Sequence, residues 1–207
     1  MIASKRNPNF SSEGGRTEAQ ETIVNTLVSM YATTNTEERN QLYAQLCKIA
    51  EDKVNFIKTI LSILSADYTV QERLSVTLFF KSYLNNLIIK KQLLPEERAG
   101  LFEELVKIMF EFDIPNQVLN NLSPCLESIL FFDESDHLQS QHLVENLFGL
   151  MMHYMDPGAN NVDIRVIRVF FSIFKVATNV IQDTEMLSGK MKEYNDVLSD
   201  SADRLVN

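Results

Sequence analysis

From Thr17 onward, apolar residues recur every three or four positions almost without pause. That spacing puts one apolar face on each of a series of α-helices. The pattern predicts nine. The first covers about 17–32, with Ile23, Leu27, Met30 and Tyr31 turned inward. Thr36 is the expected N-cap of the second, with Glu38 in its first turn and Leu42, Leu46, Ile49 and Ala50 as its stripe. The third covers about 53–65 and carries Phe56, Ile57, Ile60 and Leu64. Thr69 caps the fourth, about 70–89, and Glu72 three residues later completes a capping box. Its expected inner residues are Leu74, Leu78, Phe80, Tyr83, Leu84 and Leu87. Pro95 opens the fifth at the one position where a missing N–H costs nothing, ahead of Leu101, Leu105, Ile108 and Met109. Asp113 and Pro115 open the sixth, with Val118, Leu119, Leu122, Leu126, Ile129 and Leu130 inward and Pro124 as an expected kink. The seventh, eighth and ninth cover about 138–155, 162–181 and 183–205.

Eight of these helices group as four hairpins, and the ninth opens a fifth. The first helices of successive pairs begin roughly 36 to 45 residues apart, the period of HEAT and armadillo repeats. A hairpin with two apolar faces cannot bury both alone, so stacking follows. The expected architecture is therefore all-α, an α-solenoid of HEAT/armadillo-like hairpins over 17–207, with a compact helical bundle as the other arrangement. Residues 1–16, rich in Ser, Gly and Asn, read as a disordered leader. The ninth helix stays amphipathic to its end, which predicts an apolar face that calls for a partner.

Composition sharpens this picture. Six Gly and five Pro in 207 residues suit long helices, and 45% apolar residues can build a sizeable core. The net charge is −9; Lys5, Arg6 and Arg16 against Glu13 make the leader basic and leave −11 on the rest. Such a surface disfavours nucleic acid and anionic membranes and suits basic partners. No apolar run has the length of a membrane span, and no signal-peptide core is present. Cys47 and Cys125, both in apolar helical contexts, are expected to be buried, reduced thiols. The sequence holds no Gly-rich phosphate loop, GxSxG, HExxH or CxxC, and His137, His142 and His153 have no carboxylate or thiol to complete a ligand set. Lys90-Lys91 closes the fourth helix, where cations suit the dipole. The expectation is a protein without catalytic residues, metal or cofactor, whose function lies in its partner surface.

One stretch carries a more specific signal. Arg73-Leu74-Ser75-Val76-Thr77-Leu78-Phe79-Phe80-Lys81-Ser82-Tyr83-Leu84 is followed by Glu97-Arg98, then by Leu101, Leu105, Val106, Ile108 and Met109, then by Asn121-Leu122-Ser123-Pro124-Cys125-Leu126-Glu127-Ser128-Ile129. This order resembles the N-terminal domain of the importin-β superfamily of nuclear transport receptors (karyopherins) over about 19–131, and more weakly over 145–205. The nearest branch is that of the importin-α exportin and the importin-7/8 type receptors. Ser82 stands where the family carries Asn, and Ile88 where it carries Trp. The resemblance implies binding of the GTP-loaded small GTPase Ran, with the second, fourth and sixth helices lining the concave face. It implies Lys81, Ser82, Asn85 and Asn86 on the fourth helix, and Asn116, Asn120 and Asn121 on the sixth, as Ran contacts. Phe80 and Tyr83 are expected to pack between helices. Cargo and nucleoporins are the further partners it implies, and shuttling between nucleus and cytoplasm is the localisation. A HEAT-repeat scaffold or adaptor unrelated to Ran is the second reading, since repeat folds serve many partners.

Overall fold

A computed structural model of the chain describes residues 16–130, 149, 154 and 164–182. Among them the protein is all-helical: α1 (Glu18–Ala32), α2 (Thr36–Ile49), α3 (Lys53–Ser65), α4 (Val70–Ile89), α5 (Pro95–Glu111), α6 (Asn116–Leu130) and α7 (Ile164–Gln182), without a strand. The seventh and ninth helices expected from the pattern, and the leader up to residue 15, lie outside the described residues; Gly149 and Tyr154 of the seventh are helical.

Capping chemistry sets the helix starts. The Thr69 hydroxyl accepts from the Glu72 N–H (3.3 Å), and the Glu72 carboxylate accepts from the Thr69 N–H (2.7 Å), as the sequence predicts. Thr17 and Gln20 form the same reciprocal pair at α1. The buried Gln20 also donates to the Ser62 hydroxyl (2.6 Å), tying α1 to α3. The N-cap of α2 is Asn35 rather than Thr36: its side-chain oxygen accepts from the N–H groups of Glu37 (2.9 Å) and Glu38 (3.3 Å). An Asn outcompetes a Thr one position later because its carbonyl reaches two orphan donors at once. Pro95 is the first residue of α5. Leu94 before it has no capping group, and Glu97 compensates by accepting from the Leu94 N–H (2.8 Å). α4 closes with Lys91 in the left-handed region (φ 53°); the Gln92 N–H donates to the Leu87 carbonyl (2.8 Å) and the Lys91 N–H to that of Ile88 (2.9 Å). Pro124 lies inside α6 without ending it.

Sequential neighbours α1 and α2, α3 and α4, and α5 and α6 pack as hairpins. Helices of like position also pack across hairpins: α1 on α3 and α3 on α5 in one row, α4 on α6 and α6 on α7 in another. α4 makes its largest contact with α6 and also touches α1 and α3, so it is enclosed on three sides. Ser75, Val76, Thr77, Phe79, Phe80, Leu84 and Leu87 are accordingly all buried. Thr77 and Ser75 enter this core by donating to the carbonyls one turn back (2.7 and 3.0 Å).

Arginines link the hairpins. Arg73 donates to the carbonyls of Tyr68 (3.1 Å) and Asp113 (3.2 Å), and Arg168 donates to that of Ile114 (2.7 Å). Guanidinium groups from α4 and α7 thus hold the α5–α6 turn from both sides. Arg73, the first residue of the Arg73–Leu84 run, directs its guanidinium to backbone carbonyls of the fold.

Four expectations about inward positions are corrected. Leu78 is 36% exposed, while Val76 and Phe79 take the core. A helix enclosed on three sides buries positions outside any single stripe, so the period misplaced its open face. Tyr31 and Ile49 are exposed, and Leu46 and Ala50 are the buried residues at α2. Cys47 is also exposed, whereas Cys125 is buried as expected. α2 packs chiefly on α1, so it needs only a narrow apolar line.

Candidate protein-interaction surface

The surface is built on α4. Ser82 and Asn86, one turn apart, line a cleft of about 590 Å³ between α2 and α4. Tyr43, Cys47 and Ala50 form its α2 wall, and Phe79 and Tyr83 join Ser82 and Asn86 on the α4 wall. Aromatic rings hold this wall rigid. Phe56 packs edge-on against Tyr83 (centroids 4.9 Å) and Phe79 (6.0 Å), Tyr43 meets Phe79 at 6.2 Å, and the Tyr83 hydroxyl donates to the Ala50 carbonyl (3.2 Å). Such pairs prefer these edge and offset geometries. A hydrogen bond with the Cys47 thiol pushes the Tyr43 hydroxyl above its ordinary pKa, and burial does the same for Tyr83.

At the cleft's end Lys53 donates to the Glu97 carboxylate (2.7 Å) and to the Gln92 carbonyl (2.9 Å). Glu97 holds both Lys53 and the Leu94 N–H, and the Lys53 hydrogen bond is the main cause that keeps its carboxyl below the ordinary range. This clip joins α3 to the start of α5 and fixes the loop that carries Gln92.

Lys81 and Asn85 form a second one-turn pair on α4, both half-buried. Burial pushes the Cys125 thiol of α6 up to about 12, and the Lys81 charge acts against that rise. On α6 Asn116 and Asn120 are exposed one turn apart. Asn121 is half-buried and donates to the Gln117 carbonyl (2.8 Å). The seven residues implied by the resemblance therefore split. Ser82 and Asn86 open onto the α2 cleft, while Lys81 is absent from its lining and its charge acts on Cys125 of α6. The polar groups of the set can supply hydrogen bonds and one positive charge. Among the described residues no cluster of three metal-ligating side chains exists, and no helix is long and apolar enough to cross a membrane.

No family model, curated protein or solved structure matches the chain.

Sequence reasoning did not find Tyr43 and Cys47 as cleft residues. Their signal was present as two four-residue spacings, Tyr43/Cys47 and Phe79/Tyr83, each placing two groups on one helix face. That the two faces meet depends on the turn between α2 and α3, which no periodicity encodes.

Proposed function

We propose that this chain is an α-solenoid of HEAT-like hairpins and the N-terminal part of a nuclear transport receptor that binds Ran in its GTP form. The observation that carries the reading is the Arg73–Leu84 run. It occupies a helix packed beside its like-positioned neighbour α6, with Lys81 and Asn85 half-buried on it. Like-position packing of α3 on α5, of α4 on α6 and of α6 on α7 supports a stack of repeats. In this reading Lys81, Asn85, Asn116, Asn120 and Asn121 supply polar contacts from the packed helices α4 and α6, and Ser82 and Asn86 add contacts from the cleft. The net charge of −9 suits a basic partner face. A pull-down against Ran loaded with GTP or with GDP tests the proposal. Retention of the GTP form alone is expected, and equal retention of both or of neither overturns it.

A second reading has its own observation. Beside α4, in the place that the family arrangement gives to the second helix, α1 packs instead, and α2 stands off to leave the cleft. A HEAT-repeat adaptor that takes a partner segment into this cleft, with no part in Ran binding, fits that arrangement. Binding of partners unaltered by Ran's nucleotide state distinguishes it.

A further inference from the structure

Arg16, the residue before the Thr17 cap, sits in a seat built for its side chain. The guanidinium carbon lies 4.2 Å from the centroid of the Tyr68 ring. One terminal nitrogen donates to the Asp67 carbonyl (2.9 Å), and the other donates to the Glu21 carboxylate (3.3 Å) and stands 4.0 Å from that of Glu72. An aromatic face, two carboxylates and a backbone carbonyl suit a planar guanidinium, which can stack and donate from separate nitrogens at once, better than a compact ammonium. Tyr68 beneath it is only 2% exposed, and its hydroxyl is buried without a hydrogen-bond partner. The floor of the seat thus retains unused polar capacity.

The occupant is loosely held by comparison with the seat. Arg73 and Arg168 also donate to turn carbonyls, but both project from within helices. Arg16 precedes α1, and its side chain keeps 42% of its surface in water. Withdrawal of this side chain would uncover the Tyr68 ring, within reach of Glu21 and Glu72. We propose that this seat, at the junction of α1 with the α3–α4 turn, is a receptor for an arginine side chain of a basic partner polypeptide, closed in the free chain by Arg16. Arg16's guanidinium stands in for the partner's. The proposal is independent of Ran binding, since none of its residues is among those proposed to contact Ran.

The test uses the full chain carrying Arg16→Ala, and in parallel Arg16→Gln, which retains a donor for the Asp67 carbonyl. The probe is the peptide acetyl-Gly-Gly-Arg-amide, with acetyl-Gly-Gly-Lys-amide as comparison. Binding is read from the Tyr68 ring signals in NMR spectra of tyrosine-labelled protein. Saturable shifts with the arginine peptide are expected in both variants. Binding to the unchanged chain should be at least about tenfold weaker, because Arg16 competes at the millimolar effective concentration of a short tether. Lysine peptide should bind several-fold more weakly, and adding Glu21→Gln should weaken the arginine peptide. No saturable shift in the folded variants, equal affinity for the unchanged chain, or equal affinity for lysine overturns the proposal. Loss of fold in both variants overturns it too, because Arg16 would then be a fixed staple.

Discussion

Leu78 and Leu84 give a like-for-like test of how α4 is enclosed. Both lie on the stripe expected from the sequence, yet Leu84 is fully buried and Leu78 is 36% exposed. Truncating Leu84 to Ala removes apolar atoms from water-free surroundings and leaves a cavity between α4 and its neighbours. Such changes cost about 2–5 kcal/mol, and a site with 0% exposure at a helix junction belongs near the middle of that range, about 3 kcal/mol. Leu78→Ala removes a side chain already partly in water. Full burial of Leu is worth about 1.5–3 kcal/mol; Leu78 realises about two thirds of that, part of it is kept by the Ala methyl, and no closed cavity forms, so the cost is about 1 kcal/mol. In a chain of this size, about 2–4 °C of melting temperature accompanies each kcal/mol. Thermal unfolding followed by circular dichroism should therefore show losses of roughly 6–12 °C for Leu84→Ala and roughly 2–4 °C for Leu78→Ala. Equal losses, or a larger one for Leu78, would mean that α4 presents a different face and would refute the reasoning.

Other outcomes follow from single groups. Glu97 has a folded pKa below its ordinary 4.5, so its contribution is complete above that value and lost as pH falls through the lowered one. Glu97→Gln should be less stable than the parent near neutral pH and should lose less on acidification from about pH 6 to about pH 3, measured by urea midpoints at each pH. Parallel curves for the two proteins would contradict the clip with Lys53. Among the two thiols, Cys47 should react with a disulfide reagent in the native protein, while Cys125, buried and pushed up to about 12, should react only on unfolding. Two fast thiols, or none, would contradict the burial assigned here.

The start of the helices was largely legible because it is local chemistry: Thr69/Glu72 and Pro95 carry their signal within four residues. At α2 the same logic missed by one position, since Asn35 and Thr36 are both capable caps and the better acceptor prevailed. Helix faces were less legible in proportion to their enclosure. α5, with neighbours on its apolar side, buries Leu101, Leu105, Ile108 and Met109 as the period requires, whereas α4 carries Phe79, Phe80 and Val76 into contacts on several sides. Cys47 was misplaced for a related reason: α2 rests on few neighbours, and a residue one position beyond Leu46 already faces the cleft. Nor was the Arg16 seat legible, because its parts, residues 16, 21, 67, 68 and 72, belong to two hairpins that meet only in three dimensions.

The proposed binding of Ran through polar residues of α4 and α6 is decided by titrating the full chain with GTP-analogue-loaded Ran. Calorimetry on the parent and on Lys81→Ala/Asn85→Ala, with both folds checked by circular dichroism, supplies the comparison. The account predicts saturable binding to the parent, none to GDP-loaded Ran, and an affinity at least about tenfold lower in the double variant, as expected when central polar contacts are truncated. Absence of binding to the GTP form, or unchanged affinity in the double variant, would contradict it.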